Sequence, residues 1–330
     1  MTDESDIPQA ADLYFGVSPL MLFPQTHGNF PVYLRQDGQY VLYAGKSEMF
    51  TAQHKARLSD LGMREVFVLK GHKKRYDRYV EENLGAILGN EEMPMIERAQ
   101  IFYGTSLDLV KNALRESLPG TLPREQLRQI EEFVRQTAKF LSRKDALRSI
   151  GSLISHDYKV YRHSVNTFVF TTALLQTYDL DEKIMLECGV GALLHDIGKQ
   201  KIPPEILDKP IGLSKAEAAT YQTHPIRGVA MVANLAVSGE VYNSILFHHE
   251  RMDGSGYPSG LLGGDIPFLV RVLAVADRYE SLVSGKPYRE AMTPYQALRV
   301  MSEREKGGFD PEVVKRLVLV LSGAGFALGL

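Results

Sequence analysis

The sequence predicts a mostly α-helical protein with a small mixed α/β module at its N-terminal end. From about residue 94 onward, apolar residues recur three and four positions apart almost to the end of the chain. Before that point, short aromatic and β-branched runs alternate with turn residues, which is typical of strands. We therefore predict an α/β module over residues 1–92, a helical linker over 93–144 and a helical domain over 145–330.

The N-terminal module is predicted from individual strand, turn and helix signals. The sequence Gln36-Asp37-Gly38-Gln39 between two β-rich runs is typical of a hairpin turn. His27, His54 and His72 are scattered, so we interpret them as surface or structural residues. With no catalytic set before residue 92, a regulatory or sensory role is expected. The predicted elements are strands at 31–36, 40–44 and 65–71 and helices at 50–62 and 75–88.

Composition excludes several classes of function. The chain is 44% hydrophobic and 24% charged, which is typical of a soluble globular protein, and its net charge of -2 argues against binding nucleic-acid polymers. The single cysteine, Cys188, allows no internal disulfide framework and fits a reducing compartment. The acidic N-terminus does not resemble a secretory signal, and the apolar C-terminal run from residue 317 contains Gly and Ser and is too short to span a bilayer. We expect a cytoplasmic protein that is not bound to a membrane.

The second part of the chain contains the clearest helical patterns. Segments 94–117 and 123–143 are predicted helices separated by Pro119-Gly120. Segment 265–284 places apolar residues on one stripe, which predicts a buried helix. The C-terminal run is expected to be a terminal helix with a loose end.

Polar residues with metal-binding side chains occur inside these helical patterns. A His-Asp dipeptide alone carries little information, because the chain has one at His156-Asp157 and another at His195-Asp196. The wider set is informative, since every buried imidazole or carboxylate needs a partner and a shared metal centre would satisfy all of them. The candidate ligands are His163, His195, Asp196, His224, His248, His249 and Asp277.

The donor types in this set narrow the metal and the chemistry. Imidazoles and carboxylates without a thiolate favour iron, manganese or zinc over calcium or magnesium. Seven ligands exceed one tetrahedral site, but they suit two ions about 3.5–4 Å apart that share a bridging carboxylate. Such a pair can hold a hydroxide for attack on phosphorus, so phosphoester hydrolysis is the expected reaction, with no organic cofactor.

The motifs HDIGK (195–199), HHERMDGSGYP (248–258) and ADRYESLVSGKPYR (276–289) resemble those of the HD-GYP phosphodiesterases, a branch of the HD phosphohydrolase superfamily. The resemblance covers roughly residues 145–322. It implies an all-helical HD-type catalytic domain, two or three metal ions that are often iron, and hydrolysis of the bacterial second messenger cyclic di-GMP. By the same resemblance, one ion is held by His163, His195, Asp196 and Asp277, and the other by His224, His248 and His249, with Asp196 bridging.

Further residues are candidates for contact with the substrate. Lys199 lies three residues after Asp196, so a helical turn would aim its ammonium at the metal site, where it could bind a phosphate oxygen. A solvated surface lysine is the alternative. The resemblance implies that Lys286 and Arg289 reach substrate phosphates. Tyr257 could stack on a guanine, face a partner protein or pack within its own turn.

Two other classes of function stay open at this point. One is an HD phosphohydrolase of another nucleotide, against which the GYP loop, RMDGSGYPSG (251–260), argues. The other is a non-catalytic module that binds cyclic di-GMP, or a diguanylate cyclase through the GYP loop. All seven candidate ligands are present, which favours an enzyme. The sequence does not determine the oligomeric state, but helical linkers in signalling proteins often pair as coiled coils, so a homodimer is possible.

One position departs from the family pattern. Members with three metals carry a Glu one helical turn before the first His ligand, whereas this chain has Lys159 there. A cation on that face would repel a third ion. His156 and Asp157 lie at other angles around the helix. We therefore predict two metal ions and fast opening of cyclic di-GMP to linear pGpG, followed by slow cleavage of pGpG.

Overall fold

The structure is a computed structural model that describes residues 13–115, 121–154, 160–285 and 289–323. Its internal contacts divide the chain into two compact units, Met1–Pro94 and Met95–Leu330. Each unit is described by itself.

The first unit is a small antiparallel sheet with two helices. Within the described residues the sheet has four strands in the order β1-β4-β2-β3, and all the pairings are antiparallel. The elements are β1 (Tyr14–Val17), β2 (Val32–Gln36), β3 (Gln39–Ala44), α1 (Ala52–Asp60), β4 (Val66–Leu69) and α2 (Lys73–Gly89).

The predicted strands and helices of this unit are confirmed, and so is the hairpin turn. Asp37 and Gly38 both adopt positive φ, at 48° and 81°, which is the backbone geometry that two-residue hairpin loops favour. Strand β1 was not predicted, because it is only four residues long and is completed by pairing with the distant β4. His54 is structural as expected: with Thr51 it forms the capping box that begins α1.

The core of the first unit lies on one face of the sheet. Val32, Val66 and Val68 are fully buried there. The Phe30 ring packs edge-to-face against Tyr76 and Tyr79 of α2. Buried and partly exposed residues therefore alternate along β4 and at the start of β2.

The second unit is helical in its described parts, as the sequence predicts. Its long helices include the predicted segments near residues 94, 123 and 265. The helices are α3 (Met95–Arg115), α4 (Arg124–Leu141), α5 (Lys144–Gly151), α6 (Val160–Leu175), α7 (Glu182–Leu194), α8 (Pro204–Leu207), α9 (Lys215–Tyr221), α10 (His224–Val232), α11 (Gly239–Phe247), α12 (Phe268–Val283), α13 (Pro294–Arg299) and α14 (Pro311–Gly323).

Helices α6, α7 and α12 form the centre of this unit. From His163 to Leu175 every residue of α6 is buried, so this helix has no solvent face. It packs against α7 and α12. The predicted linker helices α3 and α4 pack in the same unit: the Phe102 and Phe133 rings stack at 5.9 Å, and Phe133 lies 6.0 Å from Phe168 of α6.

No helix in the described ranges has the length and apolar character required to cross a bilayer. The C-terminal run is helical to Gly323, as expected, and its last residues lie outside the described part of the chain.

Candidate metal centre

The seven predicted ligands come together in the second unit, although they are spread over more than a hundred positions of the sequence. Most of them lie at a helix end, where a side chain can leave the helix and point into a space shared with other helices. His163 lies in the first turn of α6, His195 and Asp196 follow α7, His224 begins α10, His248 and His249 follow α11, and Asp277 lies within α12.

One group of donors surrounds the Nε2 atom of His163. This atom lies 2.8 Å from Oδ1 of Asp277, 3.4 Å from Oδ2 of Asp196 and 3.4 Å from Nε2 of His195. His195 Nε2 is also 3.4 Å from Oδ2 of Asp196 and 3.7 Å from Oδ1 of Asp277. These four side chains form the first group that the resemblance implies.

The second group lies on the other side of Asp196. Its Oδ1 atom is 3.3 Å from Nε2 of His224 and 3.6 Å from Nε2 of His248. Together with His249, these residues offer donor atoms that all lie within 4.8 Å of one another. The two oxygens of Asp196 therefore face different histidine groups, which is the geometry of a bridging carboxylate.

Hydrogen bonds set the direction of three of the rings. In each ring Nδ1 donates to a backbone carbonyl one turn earlier, so Nε2 presents its lone pair to the site. The bonds run from His195 to Ala192 O (2.7 Å), from His224 to Tyr221 O (2.8 Å), and from His248 to Ser244 O (3.1 Å) and Ile245 O (3.0 Å).

This arrangement fits bound cations. The Nε2 atoms of His224 and His248 face each other at 3.2 Å although both protons are on Nδ1, so two lone pairs oppose each other unless a cation lies between them. Asp196 Oδ1 and His249 Nε2 are buried, and neither has a hydrogen-bond partner among the described residues. A buried set of imidazole nitrogens and carboxylate oxygens of this kind suits divalent transition metals.

Burial keeps several rings in the neutral form that binds metals. It lowers the pKa of His248 to about 4, and it also lowers the pKa of His224 and His249. For His163, burial acts to lower the pKa, but the carboxylates of Glu280 and Asp277 outweigh it and raise the pKa to about 9. His163 thus lies in a strongly anionic part of the site.

The two carboxylates of the site are ionised. Burial acts to raise the pKa of Asp196, but Lys199 and His195 hold this pKa well below its ordinary value. The pKa of Asp277 is likewise held low against burial, chiefly by the hydrogen bond with His163. Both groups can therefore serve as anionic ligands near neutral pH.

Lys199 is buried at the site. Its side chain is in a short 3₁₀ turn directly after Asp196, and Nζ lies 2.5 Å from Oδ2 of Asp196. The ammonium also lies 5.3 Å from the centre of the Tyr221 ring. With only 3% of its surface exposed, Lys199 is not a solvated surface lysine.

The other predicted substrate residues differ in position. Tyr257 lines a cleft at the metal centre, and its ring centre is 4.7 Å from that of His249. Arg289 donates instead to the backbone carbonyls of Ser281 and Ser284 at the end of α12, and it is not among the described residues that line the cleft. Lys286 lies outside the described residues, as do Lys159, His156 and Asp157.

The cleft has a volume of about 330 Å³ and opens directly onto the metal centre. Besides the candidate ligands, charged side chains line the cleft. Arg278 forms a two-point ion pair with Glu305, and Arg251 lies 3.6 Å from the same carboxylate. A site of this size can accept part of a nucleotide. Its described lining includes His248, His249, Glu250, Arg251, Tyr257, Asp277, Arg278, Glu305 and Phe309.

Sequence reasoning assigned no role to Glu250, which holds the GYP loop. This carboxylate is buried and accepts backbone N–H bonds from Ser259 (2.7 Å), Gly260 (3.1 Å) and Leu261 (2.9 Å). Its position directly after the His248-His249 pair could have indicated a role near the site. Its hydrogen-bond partners, however, are nine to eleven residues away and are brought to it only by the folded loop. A second carboxylate without an assigned role, Glu280, contacts His163.

The fold and site together define a helical unit with a candidate metal centre. Residues 163–313 match the sequence model of the HD domain family. This range contains all seven candidate ligands.

Curated relatives match between 42% and 55% of this chain. A cyclic di-GMP phosphodiesterase of Pseudomonas aeruginosa is 38% identical over 55% of this chain and 44% of its own length. The cyclic di-GMP phosphodiesterase response regulator RpfG of Xanthomonas campestris is 38% identical over 42% of this chain and 37% of its own. A 3′3′-cGAMP-specific phosphodiesterase of Vibrio cholerae is 32% identical over 48% of this chain and 35% of its own length. The chain thus spans less than half the length of these relatives.

A solved structure shares the fold. The HDG"Y"P protein of Bdellovibrio bacteriovorus superposes with a TM-score of 0.64 over 94% of this chain and 99% of its own, at 20% identity. The resemblance read from the motifs is confirmed for this part of the chain: residues 163–313 match the HD domain family, and the chain is similar to proteins named cyclic di-GMP phosphodiesterases.

Proposed function

We propose that this protein is a metal-dependent phosphodiesterase that hydrolyses cyclic di-GMP, mainly to linear pGpG. The observation that carries the proposal is the position of Asp196, whose two oxygens face two separate groups of histidines. A shared carboxylate between two nitrogen-rich sites is the arrangement that a pair of divalent ions requires.

Each side chain then has a chemical role. His163, His195 and Asp277 would hold one ion with Asp196, and the three remaining histidines would hold the other. Bound ions would lower the pKa of a water molecule and stabilise negative charge on phosphate oxygens. Iron and manganese suit this donor set best, and zinc is the third candidate.

Lys199 is proposed to act on the substrate directly. Its ammonium is buried beside Asp196, where a phosphate oxygen bound at the centre would meet a fixed positive charge. The ion pair with Asp196 and the ring of Tyr221 hold the lysine in place before the substrate arrives. Tyr257, which lines the cleft, is positioned to contact a base.

The substrate class rests on the names of the relatives. Two of them are named for cyclic di-GMP and one for 3′3′-cGAMP, so a cyclic dinucleotide is the substrate class that these names share. We place cyclic di-GMP first and 3′3′-cGAMP second. A diguanylate cyclase bound at the GYP loop, a homodimer and a cytoplasmic location remain predictions from the sequence.

The test is a time course with purified protein, Mn(II) or Fe(II), and each of the two cyclic dinucleotides in turn. We expect cyclic di-GMP to be opened to pGpG, with pGpG accumulating before any GMP forms. Metal analysis of the same sample should give two ions per chain. Binding of cyclic di-GMP without cleavage would instead support the non-catalytic module, and GMP without accumulated pGpG would contradict the slow second step.

A further inference from the structure

His163 differs from three other histidines of the centre in how its Nδ1 atom is held. His195, His224 and His248 donate to backbone carbonyls, which no substitution can remove. His163 Nδ1 instead contacts the carboxylate of Glu280, one turn after Asp277 on α12. The orientation of this one ring therefore depends on a side chain.

Glu280 is buried, and both oxygens of its carboxylate have partners. Only 1% of its surface is exposed. Its Oε2 atom faces His163, while Oε1 accepts hydrogen bonds from Nδ2 of Asn166 at 3.0 Å and from Oγ of Ser284 at 2.6 Å. An ionised carboxylate only accepts hydrogen bonds, so His163 must keep its proton on Nδ1 and direct Nε2 at the metal centre.

A further hydrogen bond links this arrangement to helix α3. The Tyr103 hydroxyl lies 3.0 Å from Oδ1 of Asn166 and donates to it. This bond orients the amide of Asn166 so that its NH₂ group points at Glu280. Both hydrogen bonds are thus donated toward the metal centre: Tyr103 donates to Asn166, and Asn166 donates to Glu280.

We propose that Glu280 is a positioning residue that makes His163 a ligand of the first ion. Asn166 and Tyr103 support it and connect α3, the helix that begins the second unit, to the metal centre. The proposal rests on the proposed function, because it assumes that the centre binds two ions. Outer carboxylate partners of metal-bound histidines typically change metal affinity by about 10–100-fold when they are replaced.

Glu280→Gln is the direct test. Its amide carries an NH₂ group, which must point either at the Nδ1 proton of His163 or at the Asn166 amide and Ser284. In the first orientation the NH₂ group faces the Nδ1 proton of His163, so two donors oppose each other. In the second it faces the NH₂ group of Asn166, so the hydrogen bond from Asn166 is lost. We expect the affinity for one of the two ions to fall about 10–100-fold, with the other ion retained.

The measurement is metal binding rather than activity. Metal-free protein is titrated with Mn(II), and the metal content is determined after dialysis at a fixed free-metal concentration. Glu187→Gln is the matched control: it makes the same chemical change at a glutamate on α7 that pairs with the exposed Lys183 at 3.9 Å. This control should still bind two ions.

Two milder variants keep the proposal testable if Glu280→Gln does not fold. Glu280→Asp retains a group that only accepts hydrogen bonds and should bind the first ion better than Glu280→Gln. Tyr103→Phe removes a single hydroxyl and should lower the affinity for the first ion several-fold. Tyr279→Phe removes another buried hydroxyl in the same unit and should leave this affinity unchanged.

Unchanged affinity for both ions in Glu280→Gln, or in Tyr103→Phe if only that variant folds, would overturn the proposal. Loss of both ions together would show a purely structural role. A wild-type protein that binds two ions but cleaves no cyclic dinucleotide would refute the proposed function and leave this inference standing. A wild-type protein that binds no ion would refute both.

Discussion

At the scale of single residues, Asp196 connects the two halves of the centre. Its oxygens are 3.4 Å from His163 and His195 on one side and 3.3 Å from His224 on the other. Side chains from three different helices therefore depend on one carboxylate. Asp277 faces both groups less closely: its Oδ1 atom is 2.8 Å from Nε2 of His163, and its Oδ2 atom is 3.8 Å from Nδ1 of His249.

The first prediction concerns this bridge. Asp196→Ala should abolish turnover and reduce the bound metal, because removal of the shared carboxylate disturbs both ions. Turnover of cyclic di-GMP and metal content are measured on the same preparation. Asp179→Ala, at an exposed aspartate before α7, serves as the control. Activity near that of the wild type would contradict a centre with two ions.

The second prediction separates Lys199 from the ligands. Lys199→Ala should keep its metals and lose mainly kcat, since the ammonium acts on the substrate phosphate rather than on the ions. Steady-state kinetics and metal analysis provide the comparison. Lys201→Ala, two residues further along the same 3₁₀ turn, should leave kcat and the metal content nearly unchanged. Loss of metal in Lys199→Ala would show that the lysine supports the ligands themselves.

At the scale of elements, the GYP loop is tied to the end of α11 by close backbone contact. A Cβ atom on Gly256 would lie 2.4 Å from the backbone N of Arg251, 2.5 Å from Cα of Glu250 and 2.6 Å from the carbonyl O of His249. Only glycine allows the loop to approach the candidate ligand His249 so closely. Glu250 holds the other end of the same loop through three backbone N–H groups.

The third prediction follows from this contact. Gly256→Ala should destabilise the protein by about 1–3 kcal/mol, because the clash is with backbone that cannot rotate away, and it should also lower turnover by moving His249. Thermal unfolding and kinetics are measured together. Gly212→Ala is the control, since a Cβ there meets no atom within 4 Å. Equal stability of the two variants would mean that the loop can shift freely.

At the scale of the whole molecule, the chemistry is concentrated in one of the two units. The seven candidate ligands and Lys199 all lie in Met95–Leu330. In the described part of the first unit, by contrast, no group of three or more potential ligands comes together. The division into a regulatory module and a catalytic domain stays a prediction from the sequence.

The fourth prediction concerns that division. A chain that begins at residue 95 should fold, bind metal and hydrolyse cyclic di-GMP at a measurable rate, because α3 and the later helices pack among themselves. Circular dichroism, metal content and turnover are compared with those of the full chain. A shortened chain that folds and holds two ions but is wholly inactive would show that the first unit contributes to catalysis.

The sequence by itself determined the helical class, most of the elements and all seven candidate ligands. These features depend on local patterns: apolar periodicity sets the helices, and metal-binding side chains at helix ends are conspicuous because burial would otherwise leave them without partners. The tertiary structure decided which groups support the ligands. His163 and Glu280 are 117 positions apart, and Asn166 and Glu280 are 114 apart.

Contacts over such distances leave no local signal, because they depend on how α6 and α12 are placed side by side. The same reason explains why the predicted linker helices pack within the second unit. Residue types and spacing specify which donors are available, while the packing of distant helices determines which of them meet.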